Sequence, residues 1–316
     1  MTRYFGIAGI QMAVEPWNAD ATVDKMRDVV LQVGRSFPWV NLCVFHELAV
    51  PGLVQFAPTP RADTWRQNAQ PIPGPLSDRL CALAREAKRW LVPGSMYELD
   101  GDKVYNTALV ISPDGEIVAR YRKMFPWLPY EAGTTAGDAF CVFDIPEVGR
   151  FGLCICYDTW FPETVRTLAW MGAEVIIHPT MTPTADRPLE LVMNQANAIF
   201  NQCYFVDING VGPWGGGRSL IVDPDGRVLQ QAGERETILT EIIDLDNVRK
   251  AREFGSLGLC QLWKQLRDAP VRFPPYVDGI ETGEIYRDLG RLQFHRRLQL
   301  GRDALPTQAE TAVAPR

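Results

Sequence analysis

Cys156 is the residue best placed to do chemistry. It lies in the stretch Arg150-Phe-Gly-Leu-Cys-Ile-Cys-Tyr-Asp-Thr-Trp-Phe-Pro-Glu163. Phe151 to Ile155 is apolar and compact, as a buried strand is, and Pro162 is well suited to the first turn of a helix. Val165, Leu168 and Ala169 then recur at helical spacing, with Gly172 as the stop. Cys156 is therefore expected at a strand end, on the turn into a helix. There the helix dipole and free backbone N–H groups favour a thiolate, the nucleophilic form. The competing reading is a small buried hydrophobe. Asp158 and Glu163 are expected to cap or orient this turn. A second stretch is Ala119 to Glu131. Lys123 ends a strand-like run and faces a loop crowded with Phe125, Pro126, Trp127, Pro129 and Tyr130. A lysine in so rigid and dry a place donates strengthened hydrogen bonds. Otherwise it is one more solvated residue in a basic run.

The elements that must position these groups alternate between strand and helix. Strands are expected at Tyr4–Val14, Trp39–Phe45, Leu91–Tyr97, Glu174–His178, Cys203–Asn209 and Thr237–Ile243. Helices are expected over 20–33, Leu76–Trp90 and Leu189–Asn201. Two hairpins share one turn formula, Ser112-Pro-Asp-Gly115 and Asp223-Pro-Asp-Gly226, which points to a repeated sheet architecture. Apolar strands alternating with helices make an α/β protein. Gly215–Gly217 lacks the Gly-Lys-Ser/Thr of a phosphate loop and instead lets backbone approach closely. His178 closes a strand before Pro179, either near the mouth of a pocket or as a satisfied structural histidine.

The totals restrict what such a site can serve. The 316 residues are 46% hydrophobic and 22% charged, so the chain builds a substantial core. A net charge of −6 argues against nucleic-acid binding, and no run reaches the length of a membrane span. Seven cysteines without framework spacing fit free thiols in the cytoplasm. Only three histidines are present, so Cys154-x-Cys156 with His178 is a weak zinc candidate and no metal is expected. A thiol redox pair from Cys154 and Cys156 is disfavoured, because an extended backbone holds the two apart. From Arg249 onward, 12 Lys/Arg face 8 Asp/Glu, net +4. Residues 249–316 read as an extended arm, with a short basic helix over 291–300 and the last ten or so residues disordered.

Three pieces occur in order: Phe45-His46-Glu47, Tyr121-Arg122-Lys123, and Cys154-Ile155-Cys156-Tyr157-Asp158 followed by Phe161-Pro162-Glu163. Together they resemble the nitrilase superfamily of carbon–nitrogen hydrolases, over roughly residues 4 to 245. The resemblance implies a four-layer α–β–β–α sandwich, a catalytic domain over 1–248, and a homodimer or higher homo-oligomer. It implies a Glu–Lys–Cys triad in which Glu47 is the general base, Lys123 the transition-state stabiliser and Cys156 the nucleophile. Glu131, eight residues after the lysine, resembles the helper glutamate of the aliphatic-amidase and formamidase branch. Tyr157-Asp158-Thr159-Trp160-Phe161 is more similar to carbamoylases and general amidases. The expected reaction is cofactor-free hydrolysis of a small amide or N-carbamoyl compound through an acyl-thioester, with nitrile hydrolysis as the nearest alternative. Trp127, Tyr130, Tyr157, Trp160 and His178 are the expected substrate-binding residues.

Overall fold

Two sheets absorb the apolar runs of the sequence. The computed structural model describes residues 2–50, 64–128, 130–212, 215–287, 289, 290 and 292. Except for Leu292, the basic helix expected over 291–300 lies outside these residues, as does the expected terminal disorder. In chain order the elements begin β1 (Tyr4–Gln11), α1 (Ala19–Ser36), β2 (Leu42–Phe45), α2 (Thr64–Gln67), α3 (Pro75–Ala87), β3 (Trp90–Val92), β4 (Ser95–Asp100), β5 (Lys103–Ile111) and β6 (Ile117–Arg122). They continue with β7 (Cys141–Ile145), β8 (Gly149–Leu153), α4 (Pro162–Trp170), β9 (Val175–Thr180), α5 (Arg187–Asn201), β10 (Tyr204–Asn209), β11 (Leu220–Val222), β12 (Val228–Gln231), β13 (Thr237–Asp244) and α6 (Asp246–Phe254).

The first sheet has the order β13-β1-β2-β3-β5-β4, with β6 also paired to β5; the second runs β12-β11-β10-β9-β8-β7. Three apolar clusters separate four layers. One packs α1 and α3 on the outer face of the first sheet, through Val23, Met26, Val30, Leu80 and Leu83. The second lies between the sheets, where Ile7, Leu42, Val44 and Val110 meet Phe151, Leu153, Val175, Ile177 and Val206. The third joins the second sheet to α4 and α5 through Val165, Leu168, Ala198 and Phe205. Apolar residues on both faces of β2, β9 and β10 follow from this sandwiching, because every strand face there is covered. The expected α–β–β–α arrangement is what forms.

The two Pro-Asp-Gly turns occupy equivalent places, one hairpin in each sheet. Gly115 and Gly226 both adopt left-handed φ (77° and 85°), and both hairpins carry a register shift on the strand before the turn. The expected strand over 91–97 is in fact two. Gly94 takes φ +80°, outside the strand region, and breaks the run into β3 and β4; only glycine fits there, since an added Cβ would meet the His46 carbonyl oxygen at 1.8 Å. The helix expected to reach Trp90 ends at Ala87, where Lys88 adopts the left-handed conformation and Trp90 joins β3. Strand β7 is an element that the alternation pattern did not announce. Helix α6 crosses the boundary expected at residue 248. It buries Val248 and Ala251, and Arg252 Nη2 donates to the Ala173 carbonyl at 2.6 Å.

Candidate active site

Strand direction brings the candidate groups together. β1, β2 and β3 are parallel, and β6 shares their direction through its antiparallel pairing with β5. Glu47 and Lys123 therefore leave the carboxyl ends of β2 and β6. β8, β9 and β10 are also mutually parallel, so Cys156, Met181 and Thr182 emerge at one end of the second sheet. The two ends are stitched directly, since Glu47 N donates to the Thr180 carbonyl at 3.2 Å. Open α/β sheets bind ligands at such carboxyl ends.

Glu47, Lys123 and Glu131 are 3%, 1% and 3% exposed, so their charges must be balanced locally. Lys123 Nζ donates to Glu47 Oε1 at 2.8 Å and to Glu131 Oε2 at 2.5 Å. Glu131 Oε2 also accepts the Trp127 N–H at 2.7 Å. Asn106, which no sequence argument singled out, bridges the two carboxylates. Its Nδ2 donates to Glu47 Oε1 at 2.9 Å and to Glu131 Oε1 at 2.8 Å. The signal was present in the hairpin. Thr107 pairs with Arg122, and the next rung places Asn106 opposite Lys123, whose N–H donates to the Asn106 carbonyl.

Protonation follows from burial set against neighbours. Burial would lower the Lys123 pKa, but Glu131 and Glu47 outweigh it and hold the ammonium well above its usual range. Burial raises Glu47, against the pull of Lys123. Burial, followed by the Glu47 charge, pushes the Cys156 thiol well above its ordinary value. The expected helix-dipole thiolate is thus not what the fold provides. Cys156 opens a 3₁₀ turn over Cys156–Trp160, and α4 begins only at Pro162, beyond the reach of a terminal-turn field. The resting thiol is neutral and needs a base.

The turn itself is strained. Cys156 has φ +47°, and Leu48, just after Glu47, has φ +48°. Non-glycine residues hold such conformations only where the surroundings over-determine them, at a cost of about 1–3 kcal/mol each. Leu48 N donates to Ser95 Oγ at 2.9 Å. The buried Asp158 ties the sulfur turn to the lysine loop. Its Oδ2 accepts from Ile155 N and Tyr121 OH, at 2.9 and 2.6 Å, and its Oδ1 from Phe125 N at 2.9 Å. Burial raises its pKa to about 6, opposed by Lys123 and these donors. Asp158 is the orienting residue of the turn; Glu163 sits in the first turn of α4.

Two narrow lobes meet at Cys156, each about 20 Å³ by the space open to the centre of a water molecule. The inner lobe is lined by Glu47, Leu48, Lys123, Trp127, Tyr130, Glu131 and Met181. Trp127, Tyr157, Trp160, Met181 and Thr182 border the outer one. Trp127 and Tyr130 stack with ring centroids 4.5 Å apart. His178 is a correction to the expected pocket wall. It is fully buried behind the sulfur turn, with Nε2 3.0 Å from the Cys156 carbonyl oxygen, and does not border either lobe. The close backbone passage at the Gly-rich segment is seen, since a Cβ on Gly215 would overlap the Gly210 backbone. Among the described residues, no group of three or more His, Cys, Asp or Glu is arranged to hold a metal, and no helix is long and apolar enough to cross a membrane.

Residues 6–253 match the family described as carbon-nitrogen hydrolase. The omega-amidase of Mus musculus is 33% identical over 202 residues, 58% of this chain and 72% of the relative. A formamidase of Bacillus cereus is 30% identical over 236 residues, 72% of this chain and 70% of the relative. A crystal structure from Saccharomyces cerevisiae, described as a member of branch 10 of the nitrilase superfamily, superposes with a TM-score of 0.71 at 26% identity, covering 79% of this chain and 94% of that one.

Proposed function

The chain belongs to the carbon–nitrogen hydrolase family, an amidase-like enzyme of the nitrilase superfamily acting on C–N bonds other than peptide bonds, and on that footing we propose that it hydrolyses a small carboxamide through an acyl-thioester on Cys156. The observation that carries the reading is the meeting of Glu47, Lys123, Glu131 and Cys156 around one narrow lobe. An amide demands a nucleophile, a proton shuttle and charge stabilisation on its oxygen, and this lobe holds one group for each.

In the proposed cycle the Glu47 carboxylate takes the Cys156 proton as sulfur attacks the carbonyl carbon. The negative charge gathers on the carbonyl oxygen, where Lys123 Nζ and the Tyr157 backbone N–H receive it. The C–N bond breaks as Glu47 returns its proton to the leaving nitrogen, giving ammonia or an amine and an S-acyl enzyme. Water, deprotonated by Glu47, then attacks the thioester; the acid leaves and the thiol regains its proton. Burial, which raises the Glu47 pKa, brings the base nearer the working pH. Glu131 and Asn106 hold Lys123 and Glu47 in register, so little reorganisation is needed during the reaction.

The narrow, aromatic-walled lobes favour a short acyl group, and the relatives named omega-amidase and formamidase support an amide over a nitrile. Ammonia release across formamide, short aliphatic amides, ω-amides and N-carbamoyl amino acids tests the reading, alongside a nitrile panel. Turnover of a small amide, abolished in a folded Cys156→Ala variant, is expected. A mass shift equal to the acyl group should appear on Cys156 of quenched wild-type enzyme. Turnover by Cys156→Ala would overturn the proposal.

A further inference from the structure

Behind the sulfur turn lie four ionisable side chains that the proposed cycle does not use: His178, Arg187, Glu190 and Asp207, none more than 2% exposed. They form one connected set. Arg187 Nη1 donates to Glu190 Oε2 at 2.7 Å, and Arg187 Nη2 to Asp207 Oδ2 at 2.5 Å. Asp207 Oδ1 lies 2.8 Å from His178 Nδ1, and His178 Nε2 lies 3.0 Å from the Cys156 carbonyl oxygen. Burying so many charges is costly unless they compensate one another.

The hydrogen-bond inventory decides the state of the imidazole. A neutral histidine has one N–H and one lone pair. Here both ring nitrogens face acceptors: a carboxylate oxygen on one side and a backbone carbonyl on the other. Asp207 cannot be the donor, because the Arg187 guanidinium and His178 hold its carboxylate below the ordinary range despite burial. Both nitrogens must therefore carry hydrogen. The charge count agrees: with His178 protonated, two cations face two anions and the set is neutral. The titratable and charged groups acting on His178 are Asp207 on β10 and Glu190 on α5, both held by Arg187 of α5, with the Cys156 carbonyl on the strand-end side. Burial would lower the His178 pKa, but the hydrogen bond and charge of Asp207, with Glu190, outweigh it.

We propose that His178 is a positioning residue held as an imidazolium, whose second N–H fixes the main-chain carbonyl of Cys156 and so keeps the left-handed sulfur turn aimed at the substrate. The assignment to catalysis rests on Cys156 being the nucleophile; the protonation state does not. Through this bond α5 and β10 set the direction of the sulfur. Nothing in the local sequence around His178 required it, since its partners come from residues 187, 190 and 207.

The full chain carrying ¹⁵N-labelled histidine tests this, with the His178 signals assigned by their loss in His178→Gln. Two N–H-bearing ring nitrogens are expected to persist at pH 7 and above, past the ordinary histidine value of about 6.5. A neutral imidazole at pH 7 overturns the proposal, and this measurement needs no variant to be active. In a folded His178→Gln, kcat and the rate of Cys156 alkylation by iodoacetamide are expected to fall together by about 10²-fold, with KM nearly unchanged. Wild-type kcat and alkylation in that variant would remove the positioning role. Loss of turnover in Cys156→Ala tests the nucleophile separately, so the two failures are distinguishable.

Discussion

Replacing Asn106 by leucine, a near-isostere, tests whether the two carboxylates are held apart by the bridge between them. Asn106 Nδ2 makes two hydrogen bonds, at 2.9 and 2.8 Å, to Glu47 and Glu131. Each bond to a charged group is worth about 1.5–3 kcal/mol, so losing both costs about 3–6 kcal/mol. Asn106 Oδ1 is itself buried with no partner among the described residues, and deleting it returns about 1–3 kcal/mol. The expected net destabilisation is about 2–3 kcal/mol. Part of that loss falls on the ionised form of Glu47. One missing donor, worth about 1.5 kcal/mol, raises its pKa by about one further unit. The acid limb of kcat/KM should therefore move up by about one pH unit, and kcat should fall at neutral pH because less of the base is ionised. Urea unfolding gives the first quantity and the pH dependence of ammonia release the second. An Asn106→Leu protein with stability within about 0.5 kcal/mol of wild type and an unmoved acid limb would refute the reasoning.

Other perturbations probe the same geometry. Glu131 accepts from three donors, Lys123, Trp127 N and Asn106, whereas a glutamine offers one oxygen. Glu131→Gln should lower kcat about 10²-fold and destabilise by about 2–4 kcal/mol, read by turnover and melting; a wild-type kcat would contradict the positioning of Lys123. Asp158 titrates at about 6, above its ordinary 3.8. Since the folded state binds this proton more tightly, the contribution of Asp158 to stability rises as pH falls from about 6 toward about 4. Activity should fall over the same window, because a protonated Asp158 releases a donor from the sulfur turn. Asp158→Asn should show low activity on both sides of pH 6, and a wild-type profile in that variant would exclude the link. Gly94→Ala puts a Cβ into the His46 carbonyl at a left-handed position and should cost at least about 2 kcal/mol, measured by urea unfolding.

The sequence by itself determined the local frame of this protein. Buried strands show as unbroken apolar runs, Pro-Asp-Gly dictates its turn, and Pro162 marks the start of α4, because these signals act within a few residues. The order of Glu47, Lys123 and Cys156 carried the family and, through it, the four layers. What the tertiary structure alone decided is the electrostatics. Asn106, Arg187, Glu190 and Asp207 are polar residues within or beside otherwise apolar elements, and their partners lie 3 to 59 residues away in sequence. The thiol of Cys156 was expected to be favoured as thiolate by a helix end; burial beside Glu47 favours the neutral form instead. His178 was expected at the pocket mouth and lies behind the sulfur. A charge takes its state from every group within several ångströms, whichever part of the chain supplies it, so no window of sequence contains the answer.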